Sequence, residues 1–398
     1  MPVEPNPSVR KGILFTAFEP SGDDHACAVV AELRRRHPTL PIYAWAGPKT
    51  EAAGATIIER TGDAAVMGVP GLSKILEHRR INCRVARWLD SAPVRGTIAL
   101  HVPVDSPAAN FPICKITRER GIKIVHLVAP QMWAWGPWRV AKLRRLTDKV
   151  LCLLPFEEDW FMARAVPAKF IGHPLFDTPL NLAELDARVA ATIGAGEGAS
   201  GTGFPKLALM PGSRPSEIAS CFPILLDAFN RLKKDFPGAS GVIAATKPAV
   251  ADAMRRRAGE LGGWPDDLAM VAGDTDAVIR WCDFALVVSG TVTLQIAKQA
   301  RPMVAVYRPK RLMYNLIMRW LISTELFTLP NLIAGKRIVT EFIPHFGDGE
   351  DLTVEVIRLM RQPAYADDQR RELEKVVARF NGYNAANSAA DEIEKMLG

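Results

Sequence analysis

"KLALMPGSRPSEI", residues 206–218, reads as a strand, a tight turn and the start of a helix. "LALM" is a short apolar run bounded by turn residues, as strands covered on both faces are. The Pro-Gly-Ser turn then presents backbone N–H groups at the head of a helix beginning near Ser216. A helix N-terminus carries partial positive charge, so the turn suits an anion. Gly212 lets the backbone approach closely. Arg214 adds a fixed guanidinium suited to bidentate phosphate contact. Taken alone, the segment reads equally well as a surface turn carrying an arginine.

The same unit recurs on both sides. Downstream come "SGVIAAT", "LAMVAG", "FALVVSG", a helix from Thr291, and "PMVAVY". Upstream, "GILFTAF" (12–18) stops at "EPSGDD" and a helical "HACAVVAELRRR" follows. "PIYAWAG", "GTIALHVPV" (96–104, ending at Asp105), "IKIVHLVAP" (122–130) and "KVLCLLP" (149–155) continue the series. Near-continuous apolar strands alternating with helices indicate parallel sheets covered on both faces. A Gly/Ala/Ser-rich break, "IGAGEGASGTGFP" (193–205), separates two such series. The expected class is therefore α/β, with two Rossmann-like doubly wound domains facing across a cleft. The expected segments are a disordered tail (1–10), an N-terminal Rossmann-like domain (11–185), a linker region (186–206), a C-terminal Rossmann-like domain (207–350) and C-terminal helices (351–398). In such sheets ligands sit at the carboxyl ends of the strands.

Composition narrows the classes. The 398 residues are 48% hydrophobic and 23% charged, which excludes wholesale disorder. A net charge of +7 favours anionic partners. The six cysteines are scattered, with no CxxC pair and no Cys/His cluster at metal spacing. That fits a reducing compartment without a disulfide frame, and no metal site or cofactor is expected. The start lacks a signal-peptide apolar region, and no run reaches the ~18–20 apolar residues of a membrane span. A cytoplasmic location is the default.

A second turn strengthens the first. "VVSGTVTLQ" (287–295) is again strand, small-residue turn, helix. Ser289, Gly290 and Thr291 offer N–H and hydroxyl donors to a diphosphate. Gln295 lies one helical turn after Thr291, on the same face, at ribose distance. Two anion-friendly turns in one half favour a nucleotide diphosphate. Neither is a P-loop or a GxGxxG fingerprint, which argues against kinases and dehydrogenases. In the first half, Glu19 and Asp105 each stand just past a strand. Either acid suits a general base on a sugar hydroxyl, or equally a cap for the next helix. "APQMWAWGPWRVAKLRR" (129–145) sets Trp133, Trp135 and Trp138 beside Arg139, Lys142, Arg144 and Arg145, a pattern shared by headgroup-binding surfaces and by core aromatics next to a solvated helix. His173, at another strand end, reads as structural or as a phosphate contact.

At these residues the chain resembles the lipid-A-disaccharide synthase family, inverting glycosyltransferases of the GT-B fold. The likeness runs through "EPSGD", "AGPKTEAAG", "AVMG", "VDSP", "VAPQMWAW", "LPFE", "FIGHPL", "MPGSRPSEI", "VVSGT", "PMVAVYR" and "LPNLIAG", in the family's order. The resemblance implies transfer from UDP-2,3-diacylglucosamine to 2,3-diacylglucosamine 1-phosphate, giving the β-1,6 disaccharide and UDP. It implies a UDP site at Gly212, Ser213, Arg214, Glu217, Ser289, Gly290, Thr291, Gln295 and Asn331. It places the acceptor near Ser21, Gly22, Asp23, Asn110, Trp133 and Trp135. Asp105 would be the base, with Glu19 the alternative acid. No metal is implied, and no nucleic acid.

The chain departs from the family pattern at Ala108 and Ala109, at Gln295 where the family has Glu, at Pro344, and after Tyr307-Arg308. Another GT-B enzyme on a UDP-sugar, a UDP-N-acetylglucosamine epimerase, or a non-catalytic UDP-sugar- or lipid-binding homologue are the alternatives. A diacylated substrate and the positive charge predict peripheral contact with the acidic inner face of the cytoplasmic membrane, through residues 71–89 and 313–320. The oligomeric state stays open, a homodimer included.

Overall fold

The computed structural model describes residues 12–61, 72–193, 203–318 and 321–397. The expected tail at 1–10, part of the expected linker, "AVMG", and Arg319 and Trp320 of the second membrane segment lie outside them. The chain divides into two compact units. One is Met1–Asp177 with Gly382–Gly398; the other is Thr178–Asn381.

In the first unit, β1 (Gly12–Ala17), α1 (Pro20–Arg36), β2 (Ile42–Ala46), α2 (Pro48–Ala52), β3 (Thr56–Arg60), α3 (Leu72–Asp90), β4 (Ile98–Val104), α4 (Pro107–Arg118), β5 (Lys123–Leu127), α5 (Val140–Leu146), β6 (Lys149–Cys152), α6 (Glu157–Met162) and β7 (Ala168–Phe170) succeed one another. The strands form one parallel sheet in the order β3-β2-β1-β4-β5-β6-β7. β1 is buried along its whole length, which is why it reads as a continuous apolar run rather than an alternating one. Leu33, Val30 and Ala26 of α1 close one face of the sheet, joined by Ala389, Ala390 and Ile393 of the helix Ala385–Leu397. Each fully buried Leu or Ile there is worth ~1.5–3 kcal/mol of transfer free energy.

The second unit repeats the plan with α7 (Leu182–Thr192), β8 (Lys206–Met210), α8 (Pro215–Asp235), β9 (Ser240–Ala245), α9 (Pro248–Glu260), β10 (Leu268–Ala272), α10 (Thr275–Trp281), β11 (Phe284–Val288), α11 (Val292–Lys298), β12 (Met303–Val306) and β13 (Thr340–Phe342). Its parallel sheet runs β10-β9-β8-β11-β12-β13. Phe222, Leu225, Phe229 and Leu232 of α8 pack on it, spaced so that one helix face is apolar.

Two boundaries differ from the sequence expectation. Residues 182–192 are a helix rather than the head of a linker. Arg188 makes a paired contact with Asp274, and Asp186 pairs with Arg280, so α7 is tied to α10. The expected C-terminal helical block is also split. Glu350–Arg361 and Pro363–Ala378 belong to the second unit, whereas Ala385–Leu397 returns to the first. An amphipathic period marks a helix but does not name the surface it covers.

Both sheets are doubly wound, and each has a point where strand order reverses: between β1 and β4 in one, between β8 and β11 in the other. Glu19 and Asp105 fall at the first of these switch points, and the Gly212–Arg214 and Ser289–Thr291 turns at the second.

Candidate active site

Glu19 and Asp105 follow β1 and β4, whose last residues, Ala17 and Val104, are register partners. Both acids therefore flank the switch point of the first sheet, the usual ligand position in such folds. Asp105 is partly buried and has a left-handed backbone (φ 48°), as does Ser106 (φ 35°). Burial raises its carboxyl above the ordinary value; the Ser106 N–H opposes this and the charge of Glu19 adds to it. Glu19 is exposed and makes no side-chain cap bond to α1.

Three residues expected to touch substrate have other work. Asp23 is buried, and its carboxylate accepts the Gly47, Lys49 and Thr50 N–H groups (3.0, 3.0 and 3.1 Å) and the Thr50 hydroxyl at 2.6 Å. It anchors the head of α2. Asn110 is fully buried, with its amide donating to the Val104 and Asp105 carbonyls (3.0 and 2.9 Å) and accepting from Thr16 at 2.7 Å. Asn331 is fully buried too, donating to the Val339 carbonyl and accepting the Ile338 and Val339 N–H groups, all at 2.8 Å. Each is satisfied by protein.

Trp133 also turns inward. It is 8% exposed, and its indole N–H donates to Glu157 at 2.9 Å. Burial pushes the Glu157 carboxyl up to about 7. Trp135 stays half exposed under the Arg139 guanidinium, 3.8 Å from its ring centroid, and Trp138 is the more exposed of the two. Ser21 is exposed, while Gly22 is buried against Ala17 and the Val104 carbonyl. His173 accepts the Leu175 N–H at 3.1 Å, opening a short turn.

In the second unit, Gly212–Arg214 follow β8 and Ser289–Thr291 follow β11, neighbours across that switch point. Gly212 has φ +91°, and a Cβ there would sit 2.4 Å from Glu217 Oε2. Only glycine fits. The Ser213 and Arg214 N–H groups donate to that same oxygen (3.2 and 3.3 Å), and the Arg214 guanidinium donates to Glu217 Oε1 at 2.9 Å. Glu217 thus reaches back from the first turn of α8 as a capping carboxylate. Two of the N–H groups expected to hold a phosphate are already bonded to it. What the turn offers an anion is the rest of the Arg214 guanidinium, whose side chain is 55% exposed.

Arg214, Glu217 and Ser289 line one cavity of about 270 Å³. The Ser289 hydroxyl donates to the Phe327 carbonyl at 3.0 Å. Space beside Gly290 is open. Gln295 is half-buried on α11. The other walls are largely apolar: Tyr307, Pro309, Tyr314, Ile322, Phe327, Ile343 and Pro344. The sequence named none of these as site residues; it marked only Pro344 and the stretch after Tyr307-Arg308, which includes Pro309 and Tyr314, as departures from the family pattern. Tyr307 had a readable signal, since it directly follows β12 at a third strand end. Phe327 had none; it lies in an irregular segment.

This arrangement suits a ligand with an anionic end and a flat or apolar body. A family model described as lipid-A-disaccharide synthetase matches residues 13–393. A relative from Geobacter sulfurreducens named lipid-A-disaccharide synthase is 30% identical over 390 residues, covering 97% of each chain. One of the same name from Pseudomonas putida (strain GB-1) is 33% identical over 393 residues, covering 97% of this chain and 98% of its own. Among solved structures, the glycotransferase of kitacinnamycin aligns with a TM-score of 0.61 at 17% identity, over 98% of this chain and 99% of that one. The UDP-GlcNAc 2-epimerase of Neisseria meningitidis bound to UDP-GlcNAc aligns at 0.61 and 11% identity, over 97% and 99%. These two share the two-sheet α/β fold of the GT-B class. With a family model spanning almost its whole length, the chain belongs to the lipid-A-disaccharide synthase family.

Proposed function

We propose that the chain joins UDP-2,3-diacylglucosamine to 2,3-diacylglucosamine 1-phosphate, forming the β-1,6 disaccharide 1-phosphate and UDP. Its family makes it a glycosyltransferase of lipid A biosynthesis. The observation that carries the site assignment is the cavity shared by Arg214 and Ser289 at the second sheet's switch point. There the Arg214 guanidinium and the Ser289–Thr291 turn take the diphosphate of the donor. On the first unit, Asp105 takes the proton of the acceptor 6-hydroxyl. The oxygen attacks the donor's anomeric carbon as the bond to the diphosphate breaks, and UDP leaves with the electron pair. A carboxyl held above its ordinary value is a stronger base for that step. Arg214 and the turn stabilise the charge that grows on the leaving diphosphate.

Purified protein given both monosaccharides tests this directly: mass spectrometry should detect the disaccharide and released UDP. Failure to form it under conditions where UDP binds would refute the reading. Arg214→Ala should weaken UDP by ~10–100-fold, from the ~1.5–3 kcal/mol of a charge-assisted bond. The change also leaves the Glu217 carboxylate uncompensated beside a diphosphate. Calorimetric titration with UDP measures it; unchanged affinity removes Arg214 from the site.

The acylated substrates give the protein reason to meet a membrane surface. No described helix is long and apolar enough to cross one. α3 spends Ile81, Val85 and Leu89 on the core but leaves Leu76 exposed, and Leu312 and Leu316 stand exposed next to Arg311. Cosedimentation with anionic vesicles should be strong at low salt and weaken at high salt, since a positive surface drives it. Absence of binding at low salt would count against membrane contact.

A further inference from the structure

Beneath the Asp105 turn lies a buried row of polar side chains that the reaction does not touch. Thr117 of α4, His101 of β4, Thr16 of β1 and Asn110 of α4 are all fully buried. His101 Nδ1 is 3.0 Å from the Thr117 hydroxyl, and His101 Nε2 is 2.8 Å from the Thr16 hydroxyl. The Thr16 hydroxyl donates to Asn110 Oδ1 at 2.7 Å, and the Asn110 amide nitrogen donates to the Val104 and Asp105 carbonyls.

The proton directions in this row are determined. Two carbonyl acceptors on one end of Asn110 require its NH₂ there, so Oδ1 faces Thr16. Thr16 has a single proton and gives it to Oδ1. Its oxygen must then accept from His101, so Nε2 carries hydrogen. Burial, and next the neighbouring ring of His126 on β5, which also faces the Asp105 backbone, hold His101 neutral by lowering its pKa to about 3. Nδ1 is therefore an acceptor, and it shares the single Thr117 proton with the Ile113 and Cys114 carbonyls, which lie 3.1 and 3.2 Å from that hydroxyl. The Thr16, Asn110 and His101 Nε2 end of the row has one orientation that satisfies it.

The far end of the row lands on a costly stretch of backbone. Asp105 and Ser106 are consecutive non-glycine residues with positive φ, at ~1–3 kcal/mol each. Such a conformation persists only where the surroundings over-determine it. Here the Asp105 N–H donates to the Leu127 carbonyl at 2.9 Å, and Asn110 fixes the carbonyls of Val104 and Asp105. We infer that Thr16 and His101 are positioning residues for Asp105: acting through Asn110, they hold the left-handed turn that aims its carboxylate, with the proton of neutral His101 on Nε2. This rests on the reading of Asp105 as the base.

Thr16→Val keeps the β-branched shape and removes the link, leaving His101 Nε2–H and Asn110 Oδ1 without a partner. The expected result is a ~10–100-fold lower kcat from a misaimed base, with both KM values within about twofold of wild type. Thr16→Ser, which keeps the hydroxyl, should restore kcat. With the turn loosened, the Asp105 carboxyl gains water and its pKa falls toward the ordinary value, away from the influence of Glu19. The acid limb of kcat/KM should therefore move to lower pH. A folded Thr16→Val protein with wild-type kcat and an unmoved limb would overturn the inference, as would a loss explained wholly by a smaller folded fraction.

Two activity-free measurements separate this from the function itself. Nitrogen-15 NMR of histidine-labelled full-length protein should show His101 as the Nε2–H tautomer, without titration between pH 6 and 8. An Nδ1–H tautomer would overturn the row even if Thr16→Val does not fold. Carbon-13 titration of Asp105 should show a lower midpoint in Thr16→Val than in wild type, whatever reaction the protein performs. If wild type makes no disaccharide, the function falls, and these two readouts still decide the inference.

Discussion

Asp105→Asn should lower kcat by ~10² or more while UDP affinity stays at the wild-type level. Asparagine nearly matches the shape of aspartate, so the turn and its bonds to Leu127 and Asn110 survive, but the amide cannot take a proton. The cavity that holds Arg214 and Ser289 is in the other unit, so donor binding has no direct reason to change. The pH dependence gives a second signature. The base works only when ionised, and burial raises its carboxyl from an ordinary value of 3.8. Wild-type kcat/KM should therefore fall as pH drops through a midpoint above 3.8, and the residual activity of Asp105→Asn should lack that limb. The linkage sign runs against stability at neutral pH. A raised folded-state pKa contributes stability that is full below 3.8 and lost as pH rises through the folded value. Asp105→Asn should thus melt no lower than wild type at pH 7. Retention of the wild-type rate would put the base elsewhere, and Glu19 is then the next candidate.

Asn331→Ala should cost about 3 kcal/mol, because a buried backbone acceptor, a buried donor and a part-buried donor lose their partner together. For a unit of this size that corresponds to a fall in Tm of about 6–12 °C. The measurement is calorimetry of the ligand-free protein. A residue whose work is to touch the donor would leave that Tm unchanged when truncated. The prediction therefore separates scaffold from ligand contact at a position that the family resemblance assigned to the UDP site.

The legibility of the chain follows the range of the forces involved. β1, β8 and β11 are buried on both faces, so each reads as an unbroken apolar run, and the turns after them were readable for the same reason. β3 and β13 went unread: "TIIER" is half-exposed, and "TEF" is only three residues long. Asp23, Asn110 and Asn331 look like ligands in sequence because small polar residues near turns serve both purposes. Their actual partners, such as Thr16 lying 94 positions from Asn110, are brought in by the sheet. Glu217 was read as a donor contact; its four-residue span back to Ser213 was the available sign of a cap. Of the aromatic walls, Tyr307 was legible as the residue directly after β12, whereas Phe327 lies in an irregular segment that no local pattern encodes.

The helix Ala385–Leu397 seats Ala389, Ala390 and Ile393 against residues of β1, α1 and β4. On a ribosome, those residues emerge long before their cover, which exists only once residues 385–397 have been made. At ~5–20 residues per second, the opening half waits roughly tens of seconds with an oily strip bare, while the middle portion already has every piece it requires. Maturation therefore runs out of translation order, and nascent chains halted near position 380 should be favoured cargo for chaperones that grip greasy surfaces.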